Sequence, residues 1–295
     1  MKFLTIWKEE KEVLGVKTDK GIINLDELLK NNRNADIPTD MMEVIHGGKD
    51  MVEEIENYIA NLKTESFHYL KDEDVNWGPA VTLPSKIICV GLNYRKHADE
   101  TGAPYPETPI LFNKFNNTLT GHKQDIKIPK NTNKLDYEVE LGIVIGKTAK
   151  NVPVNEAINH VFGYVTGNDL SARDLQFVSS QWLLGKNCDD FSPIGPYLVT
   201  SDEVKDPNNL QLKTIVNGEE KQNSNTSDMI FNCDEIVSYI SKYMTLTPGD
   251  LILTGTPEGV IMGEPEDKQV FLKPGDEVTV EIEKLGSLTN KFVYE

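Results

Sequence analysis

Two acidic residues stand inside an otherwise apolar run of this sequence. Glu138 and Glu140 lie in LDYEVELGIVIG, where β-branched residues and glycines favour a strand over a helix. Residues i and i+2 of a strand point to the same face, so the two carboxylates are expected side by side. Like charges this close raise each other's pKa unless a positive charge separates them, and a divalent cation would do so. The alternative is an exposed edge strand with two solvated acids.

A third acid follows the next predicted strand. In VFGYVTGNDLSARDLQ, Asp169 occupies a position where Asp often serves only as a helix N-cap. It lies 29 residues after Glu140, which leaves room for a crossover and a returning strand. Three carboxylates on neighbouring strand ends, with no His or Cys beside them, form a hard oxygen site that suits Mg²⁺ or Mn²⁺. Removing any one of them is expected to abolish activity and, by relieving repulsion, to stabilise the metal-free protein.

An imidazole and a carboxylate are placed three residues apart in NYRKHADETG, a stretch at 93–102 that is expected to form a short helix ending at Gly102. His97 and Glu100 would share one face of this helix. A carboxylate beside an imidazole fixes its tautomer and raises its basicity, so the pair is suited to taking a proton from water. The alternative is a surface helix with an incidental ion pair.

Candidate groups for an anionic ligand lie further along the chain. Lys186 follows the apolar residues at 182–184, so its stem is expected to cross an apolar wall and bring an ammonium group to the site. A lysine that snorkels to the surface is the alternative. Arg173 and Gln176, on a helix expected over 171–182, are further candidates, with ordinary pairing on a helix surface as their alternative.

A glycine-bracketed turn, LTGTPEGV at 253–260, is the last candidate. Its amides and the hydroxyl of Thr254 or Thr256 are suited to holding a carboxylate, and a plain surface turn is the alternative. The sequence contains no phosphate-binding G-x-x-x-x-G-K-[ST], no G-x-S-x-G, no H-E-x-x-H and no dinucleotide fingerprint. A serine nucleophile, a zinc protease and a nicotinamide enzyme therefore lack support.

The overall charge limits the partners of the chain. Its 295 residues carry a formal net charge of −17, which argues against nucleic acid and against an anionic membrane surface as partners. An anionic substrate would be repelled by this negative charge, so a cation at the site must make the local electrostatic potential positive. The three cysteines are widely spaced and the chain has no signal-peptide core or ~20-residue apolar run, which indicates a cytoplasmic protein.

The distribution of apolar runs indicates an α+β, strand-rich protein with two parts. Residues 1–80 are expected to form a small α+β domain, and residues 81–295 a β-rich domain with many short strands and few helices. A polar stretch at 64–85 is interpreted as the linker between them. Helices are predicted from about 24, over 40–63 with a break at 46–48, and over 154–160, 171–182 and 232–243.

Six stretches in order resemble the fumarylacetoacetate hydrolase family, with its acylpyruvate hydrolase and oxaloacetate decarboxylase branch the most similar. They are VGLNYRKHADE, PETPILFNK, LDYEVELGIVIG, GYVTGNDLSARDLQ, LLGKNCDDFSPIGP and LTGTPEGV. The resemblance runs from about residue 84 to the end of the chain. It implies a mixed β-sandwich roll for the second domain and a homodimeric assembly.

The resemblance also implies a role for each candidate residue. Glu138, Glu140 and Asp169 would be ligands of Mg²⁺ or Mn²⁺, and His97 and Glu100 would be a catalytic dyad on a lid. Lys186 would be a catalytic lysine, whereas Arg173, Gln176 and Thr256 would bind substrate. Asn187-Cys188 departs from the small-then-apolar pair of many members, which bears on substrate choice.

The function expected from these residues is cleavage of a C–C bond next to a 2-oxo acid through a metal-stabilised enolate. The reaction would be hydrolysis of an acylpyruvate, decarboxylation of oxaloacetate, or both. One alternative is a tautomerase acting as a 2-hydroxyhepta-2,4-diene-1,7-dioate isomerase in aromatic degradation. The other is a non-catalytic interaction protein that has kept the fold.

Overall fold

The protein is described from a computed structural model that covers residues 1–31, 37–62 and 68–295. Strands rich in β-branched residues dominate it. Within these residues the strands are β1 (Lys2–Lys8), β2 (Lys11–Thr18), β3 (Gly21–Asn24), β4 (Ile87–Gly91), β5 (Ile110–Lys114), β6 (Leu119–Thr120), β7 (Asp125–Ile128), β8 (Leu135–Asp136), β9 (Val139–Ile145), β10 (Val161–Asn168), β11 (Ser171–Ala172), β12 (Ser192–Thr200), β13 (Gln211–Val216), β14 (Glu219–Asn225), β15 (Leu251–Leu253), β16 (Glu277–Ile282) and β17 (Gly286–Tyr294).

The helices are short, apart from one near the N-terminus. They are α1 (Leu25–Asn31), α2 (Met41–Ala60), α3 (Arg95–Thr101), α4 (Val154–Ala157), α5 (Arg173–Gln176), α6 (Leu183–Lys186) and α7 (Cys233–Tyr243). Gly48 leaves helical geometry inside α2, which confirms the break predicted at 46–48. Asn232 and Glu235 form a capping box at the start of α7, as their spacing indicates.

A large sheet forms the centre of the molecule. Its strand order is β3-β2-β1-β12-β10-β9-β15-β4-β5, with β6 paired to β12 as the tenth strand. A five-stranded sheet has the order β14-β13-β16-β17-β7, and β8 pairs with β11. All residues of β9 and β10 are buried, because both faces of the large sheet are covered.

Alternate residues along the strands of the large sheet point into two separate apolar layers. Leu4 and Ile143 belong to one layer, and their neighbours Phe3 and Val144 belong to the other. The five-stranded sheet and α7 cover the first face, whereas α1 and α2 cover the second. The N-terminal helices therefore support the sheet that carries β9 and β10.

The N-terminal strands extend the same large sheet, because β1 pairs antiparallel with β12. The polar stretch interpreted as a linker falls partly at 63–67, outside the described residues. Its described part is not a solvated connection, since Val75, Trp77 and Val81 are buried. The division into 1–80 and 81–295 stays a prediction.

Among the described residues, the helices are too short or too polar to span a membrane.

The helix predicted over 171–182 is wrong in extent. Ser171–Ala172 form β11, and only Arg173–Gln176 and Leu183–Lys186 are helical. The hydroxyl of Ser179 donates to the Gln181 carbonyl and accepts from the Gln181 amide, so the side chain competes with helical hydrogen bonds. The predicted helix at 154–160 is α4 followed by a 3₁₀ turn.

His122 makes the stability of the fold depend on pH. Burial and then Lys123 lower the pKa of His122 from 6.5 to about 4, and its Nδ1 accepts a hydrogen bond from the Thr289 amide at 3.0 Å. Between pH 6.5 and 4 the His122 imidazole is protonated in the unfolded chain and neutral in the folded protein. The free energy of unfolding should therefore fall as the pH is lowered through this range. Urea unfolding across this range measures the fall.

The variant His122→Asn is the control for this prediction. Asparagine keeps an acceptor for the Thr289 amide but does not titrate. The decline between pH 6.5 and 4 should therefore be shallower than in the wild type. An identical slope in the two proteins would assign the acid sensitivity to other groups.

Candidate active site

Three carboxylates meet where β9 begins and β10 ends. Glu140 lies in β9, Glu138 is the residue directly before β9, and Asp169 is the residue directly after β10. The Asp169 amide donates to the Glu138 carbonyl at 2.9 Å, which joins the two strand ends. One ligand atom of each side chain lies within 4.8 Å of the others, and all three residues are buried. The structure thus brings together the three acids singled out in the sequence.

Lys186 lies between two of these carboxylates. Its Nζ donates to Glu138 Oε2 at 2.6 Å and to Asp169 Oδ2 at 2.8 Å, and its side chain is 3% exposed. The ammonium group also lies 5.2 Å from the centre of the Phe112 ring. The expected apolar wall of residues 182–184 is wrong in part, because Leu183 and Leu184 are exposed and Phe112 contacts the ammonium instead.

Arg173 is buried and not on a helix surface. It contacts Asp136 Oδ2 at 2.9 Å and Glu138 Oε1 at 2.7 Å, and its NH1 donates to Gln176 Oε1 at 3.0 Å. The guanidinium group therefore orients a carboxylate of the acidic cluster. Its predicted role in substrate binding stays a prediction, although both Arg173 and Gln176 reach the cavity described below.

Two residues of the cluster were missed in the sequence. Lys114 is buried, and its ammonium donates to Asp169 Oδ1 and to the Phe191 carbonyl at 2.7 Å. Asp136 accepts from Arg173 and from the amides of Ile261 and Met262 at 2.9 and 3.1 Å. The sequence did contain a signal for each. Asp136 continues the alternation of Glu138 and Glu140, and Lys114 ends the apolar stretch PILFNK.

The turn at 253–260 binds carboxylates of the protein itself. The Gly255 amide donates to Glu140 Oε2 at 2.8 Å, and the Gly259 amide donates to Glu100 Oε2 at 2.9 Å. Both glycines have positive φ, 98° and 94°, which turns their amides toward the acids. The hydroxyl of Thr254 donates to the Leu141 carbonyl, so of the two candidate threonines only Thr256 faces the cavity.

His97 and Glu100 form the expected pair on α3. His97 Nδ1 lies 2.7 Å from Glu100 Oε1, and His97 is 5% exposed, so this helix is not an ordinary surface element. The helix is held in place from both ends. Asn93, just before it, bonds to Phe231 and to the Thr254 carbonyl, and Glu100 bonds to Gly259.

Several of these groups line a cavity of about 210 Å³. Apolar side chains form much of the wall, and the polar groups of the acidic cluster and of α3 converge on one region of it. The lining residues are Val90, Gly91, Leu92, His97, Thr101, Ala103, Phe112, Glu138, Glu140, Arg173, Gln176, Phe177, Trp182, Lys186, Gly255, Thr256 and Met262. A converging polar set in a mostly apolar pocket is typical of a small-molecule site.

The three carboxylates differ in their electrostatic environment. Burial opposes the charge of Glu138, but Lys186 and Arg173 outweigh it and lower its pKa to about 2. Burial raises the pKa of Glu140 well above its ordinary value, and Asp169 and Glu138 add to this effect. Burial opposes the charge of Lys186, yet Asp169 and Glu138 raise its pKa. Within the part of the chain that the structure describes, Glu140 is therefore the one carboxylate of the three that makes no salt bridge.

The cluster has an excess of acidic groups when every group is ionised. In the described part of the chain, Lys114, Arg173 and Lys186 face the carboxylates of Asp136, Glu138, Glu140 and Asp169. The protein groups alone therefore do not attract an anion. A divalent ion beside the three clustered acids would reverse the local sign.

Comparison with known proteins identifies the family. The family profile described as "Fumarylacetoacetate (FAA) hydrolase C-terminal" matches residues 86–293. The chain belongs to the fumarylacetoacetate hydrolase family. It is an enzyme of this family, as the resemblance in its motifs indicates.

A curated relative and two solved structures resemble most of the chain. "Oxaloacetate tautomerase FAHD2A, mitochondrial" from Bos taurus is 42% identical over 275 residues, which cover 92% of this chain and 84% of that protein. Fumarylacetoacetate hydrolase from Exiguobacterium antarcticum is 32% identical with a TM-score of 0.85 and full coverage of both chains. Fumarylpyruvate hydrolase from Pseudomonas aeruginosa, solved with Mn²⁺ and pyruvate, is 34% identical with a TM-score of 0.66, covering 72% of this chain and 91% of that one. The predicted strand-rich α+β fold class is confirmed.

The contacts of the cluster revise the expectation that removing any acid stabilises the metal-free protein. Asp169→Asn would leave the buried ammonium groups of Lys114 and Lys186 facing a neutral amide, which should lower the free energy of unfolding by about 3–5 kcal/mol. Glu140→Gln removes a repelled charge and keeps an acceptor for the Gly255 amide. This variant should be as stable as the wild type or more stable.

Urea unfolding of the three EDTA-treated proteins measures the difference. The two variants remove the same charge from neighbouring positions, so each controls for the other. Equal destabilisation by both variants would show that the cations do not distinguish the two acids.

Proposed function

We propose that this protein is a divalent-cation-dependent enzyme that interconverts the enol and keto forms of a small 2-oxo acid, with oxaloacetate as the first candidate substrate. One observation carries the proposal: Glu138 and Glu140 of the acidic cluster line the same small cavity as His97. The bovine relative named as an oxaloacetate tautomerase supports the choice of reaction.

The donor set fits Mg²⁺ or Mn²⁺. Glu138, Glu140 and Asp169 offer only carboxylate oxygens, which these hard cations prefer, and they are already held close together. When bound, such a cation acts as a Lewis acid that polarises a carbonyl oxygen. The printed description of the Pseudomonas aeruginosa structure, with Mn²⁺ and pyruvate, supports this choice of cation class.

The side chains of the cavity supply the proton chemistry. Because His97 Nδ1 is bonded to Glu100, Nε2 is the nitrogen left to give or take a proton in the cavity. Interconversion of enol and keto forms needs a proton moved to or from the carbon next to the carbonyl. A base with a carboxylate partner is suited to this step. The pair is therefore suited to a tautomerase as well as to a hydrolase.

The size and walls of the cavity favour a small substrate. Its volume of about 210 Å³ is below the roughly 300–1,000 Å³ of pockets for drug-sized ligands. The Thr256 hydroxyl and the cations beside the acidic cluster would orient the polar end of a 2-oxo acid. The apolar side chains of Phe112, Phe177 and Trp182 line the remainder and limit access of water.

The second candidate is the reaction ranked first from the sequence, cleavage of a C–C bond in an acylpyruvate or in oxaloacetate. The His97–Glu100 pair favours it, because the same imidazole can take a proton from an attacking water. A non-catalytic protein is the weakest candidate, since the buried ionic cluster would have no role that justifies its desolvation cost.

Chelation tests the dependence on a cation. Activity on oxaloacetate should be lost in EDTA and restored by Mg²⁺ or Mn²⁺, because the protein groups alone leave the site with an excess of acid. Enol decay of oxaloacetate, pyruvate release from oxaloacetate, and cleavage of acetylpyruvate and fumarylpyruvate should be followed in parallel. Turnover that survives thorough chelation would exclude the proposed role of the acidic cluster.

Variants of the dyad separate the reactions. His97→Ala should slow enol–keto interconversion and acylpyruvate hydrolysis by about 10²–10⁴-fold, the usual size of general acid–base catalysis. Decarboxylation should fall less, because no proton leaves carbon before CO₂ departs. Glu100→Gln keeps an oxygen for the Gly259 amide, and its amide nitrogen replaces the oxygen that faces the imidazole, so the charge and the hydrogen-bond acceptor behind His97 are both removed. Rates within a few-fold of wild type in both variants would exclude the dyad from catalysis.

The assembly and the compartment stay proposals. A homodimer follows from the family resemblance, and a light-scattering mass equal to the 33.1 kDa of one chain would contradict it. A cytoplasmic location is the expectation from the sequence, whereas the bovine relative is named as mitochondrial. Cell fractionation with an antibody against the protein distinguishes the two.

A further inference from the structure

Gln222 on β14 is a buried residue that connects the acidic cluster to the wall of the cavity. It is 1% exposed and is not among the residues that line the cavity. Its Oε1 accepts from the Val139 amide at 3.1 Å and from the Thr214 hydroxyl at 2.7 Å. Its Nε2 donates to the Pro257 carbonyl and to Thr256 Oγ1, both at 2.9 Å.

Two of these contacts leave one orientation for the amide. The Val139 amide can only donate, so the atom facing it must be the oxygen of Gln222. The Pro257 carbonyl can only accept, so the atom facing it must be the nitrogen. The nitrogen therefore donates its second hydrogen to Thr256, and a flipped amide would place like groups against each other on both sides.

This orientation determines what Thr256 can do. Thr256 Oγ1 already accepts a hydrogen bond, so the hydroxyl proton cannot point toward Gln222. The described residues provide no hydrogen-bond acceptor for this proton, and Thr256 lines the cavity. The proton is therefore available for an acceptor oxygen bound there.

We propose that Gln222 is a positioning residue that holds the Thr256 hydroxyl as a hydrogen-bond donor toward an anionic oxygen of the substrate. The same amide bonds Val139, which lies between Glu138 and Glu140, so it also holds the donor at a set place relative to the acidic cluster. The identity of the substrate class rests on the proposed function, but the direction of the hydroxyl does not.

Binding of oxalate, a non-reacting dianion, tests the proposal without turnover. Calorimetry on Mn²⁺-loaded protein should show affinity for oxalate reduced roughly ten- to hundredfold in Thr256→Val, the range for a lost hydrogen bond to a charged group, and largely kept in Thr256→Ser. In Gln222→Glu an ionised side chain only accepts, so the Thr256 hydroxyl turns toward it. The loss of affinity is expected to be at least as large as in Thr256→Val, because the new carboxylate also repels oxalate. Because both changes remove the same donor, the double variant should be little worse than Gln222→Glu alone.

Thr214→Val is the matched control. It removes the other hydroxyl bonded to Gln222, on a residue that does not line the cavity, and should leave oxalate affinity within about twofold of wild type. Thermal unfolding and Mn²⁺ affinity, measured for every variant, separate loss of the donor from loss of fold or metal. With substrate, Thr256→Val should raise KM more than it lowers kcat.

The outcomes distinguish this inference from the proposed function. A wild type that turns over oxaloacetate while Gln222→Glu and Thr256→Val bind oxalate normally would overturn the inference alone. A wild type without activity on 2-oxo acids would overturn the proposed function. In that case a neutron structure still tests the hydroxyl: deuterium on Thr256 directed into the cavity supports the inference, and deuterium directed at Gln222 overturns it.

Discussion

The compensation of buried negative charge is the constraint on which the rest of this structure depends. Glu138 and Asp169 are removed from water, which is costly for ionised carboxylates unless cations and hydrogen bonds replace the lost solvation. Lys186 lies between them, and Lys114 and Arg173 approach from the other sides. Among the described residues Glu140 has a hydrogen bond from the Gly255 amide and no salt bridge, which leaves it as the acid of the cluster most in need of a further cation. A divalent ion bound by the three acids would therefore compensate their buried negative charge and also supply the Lewis acid that the proposed reaction needs.

The supporting contacts extend this constraint to the loops. Asp136 holds both Arg173 and the amides at 261–262, and the neighbouring Gly259 amide holds Glu100 beside His97. Gln222 joins the strand of the acidic cluster to the Thr256 wall. Asp136 and Gln222 are buried, where a missing hydrogen-bond partner is expensive, and Glu100 is half-buried. The positions of the proton-transferring pair, the acidic cluster and the hydroxyl donor are therefore interdependent.

The large sheet makes these contacts possible because it is covered on both faces. Its central strands β9 and β10 are mostly apolar, and the acids lie at their ends, where Glu138 and Glu140 line the cavity. The described residues at 1–31 and 37–60 contribute strands at one side of this sheet and helices on one of its faces. Their role visible in the structure is to complete the core behind the site.

The sequence by itself determined the acids, the dyad, the strand-rich class and the family, because each depends on local spacing: period 2 on a strand, period 3–4 on a helix, and motifs that stay together in the chain. The tertiary structure decided which charges meet. Lys114 is 55 residues from Asp169, and Arg173 is 37 residues from Asp136, distances over which periodicity carries no information. For the same reason the turn at 253–260 looked free to hold a ligand, whereas its amides at 255 and 259 are occupied by Glu140 and Glu100. Pairing of buried charges is settled by packing of distant strands, and only the folded chain shows it.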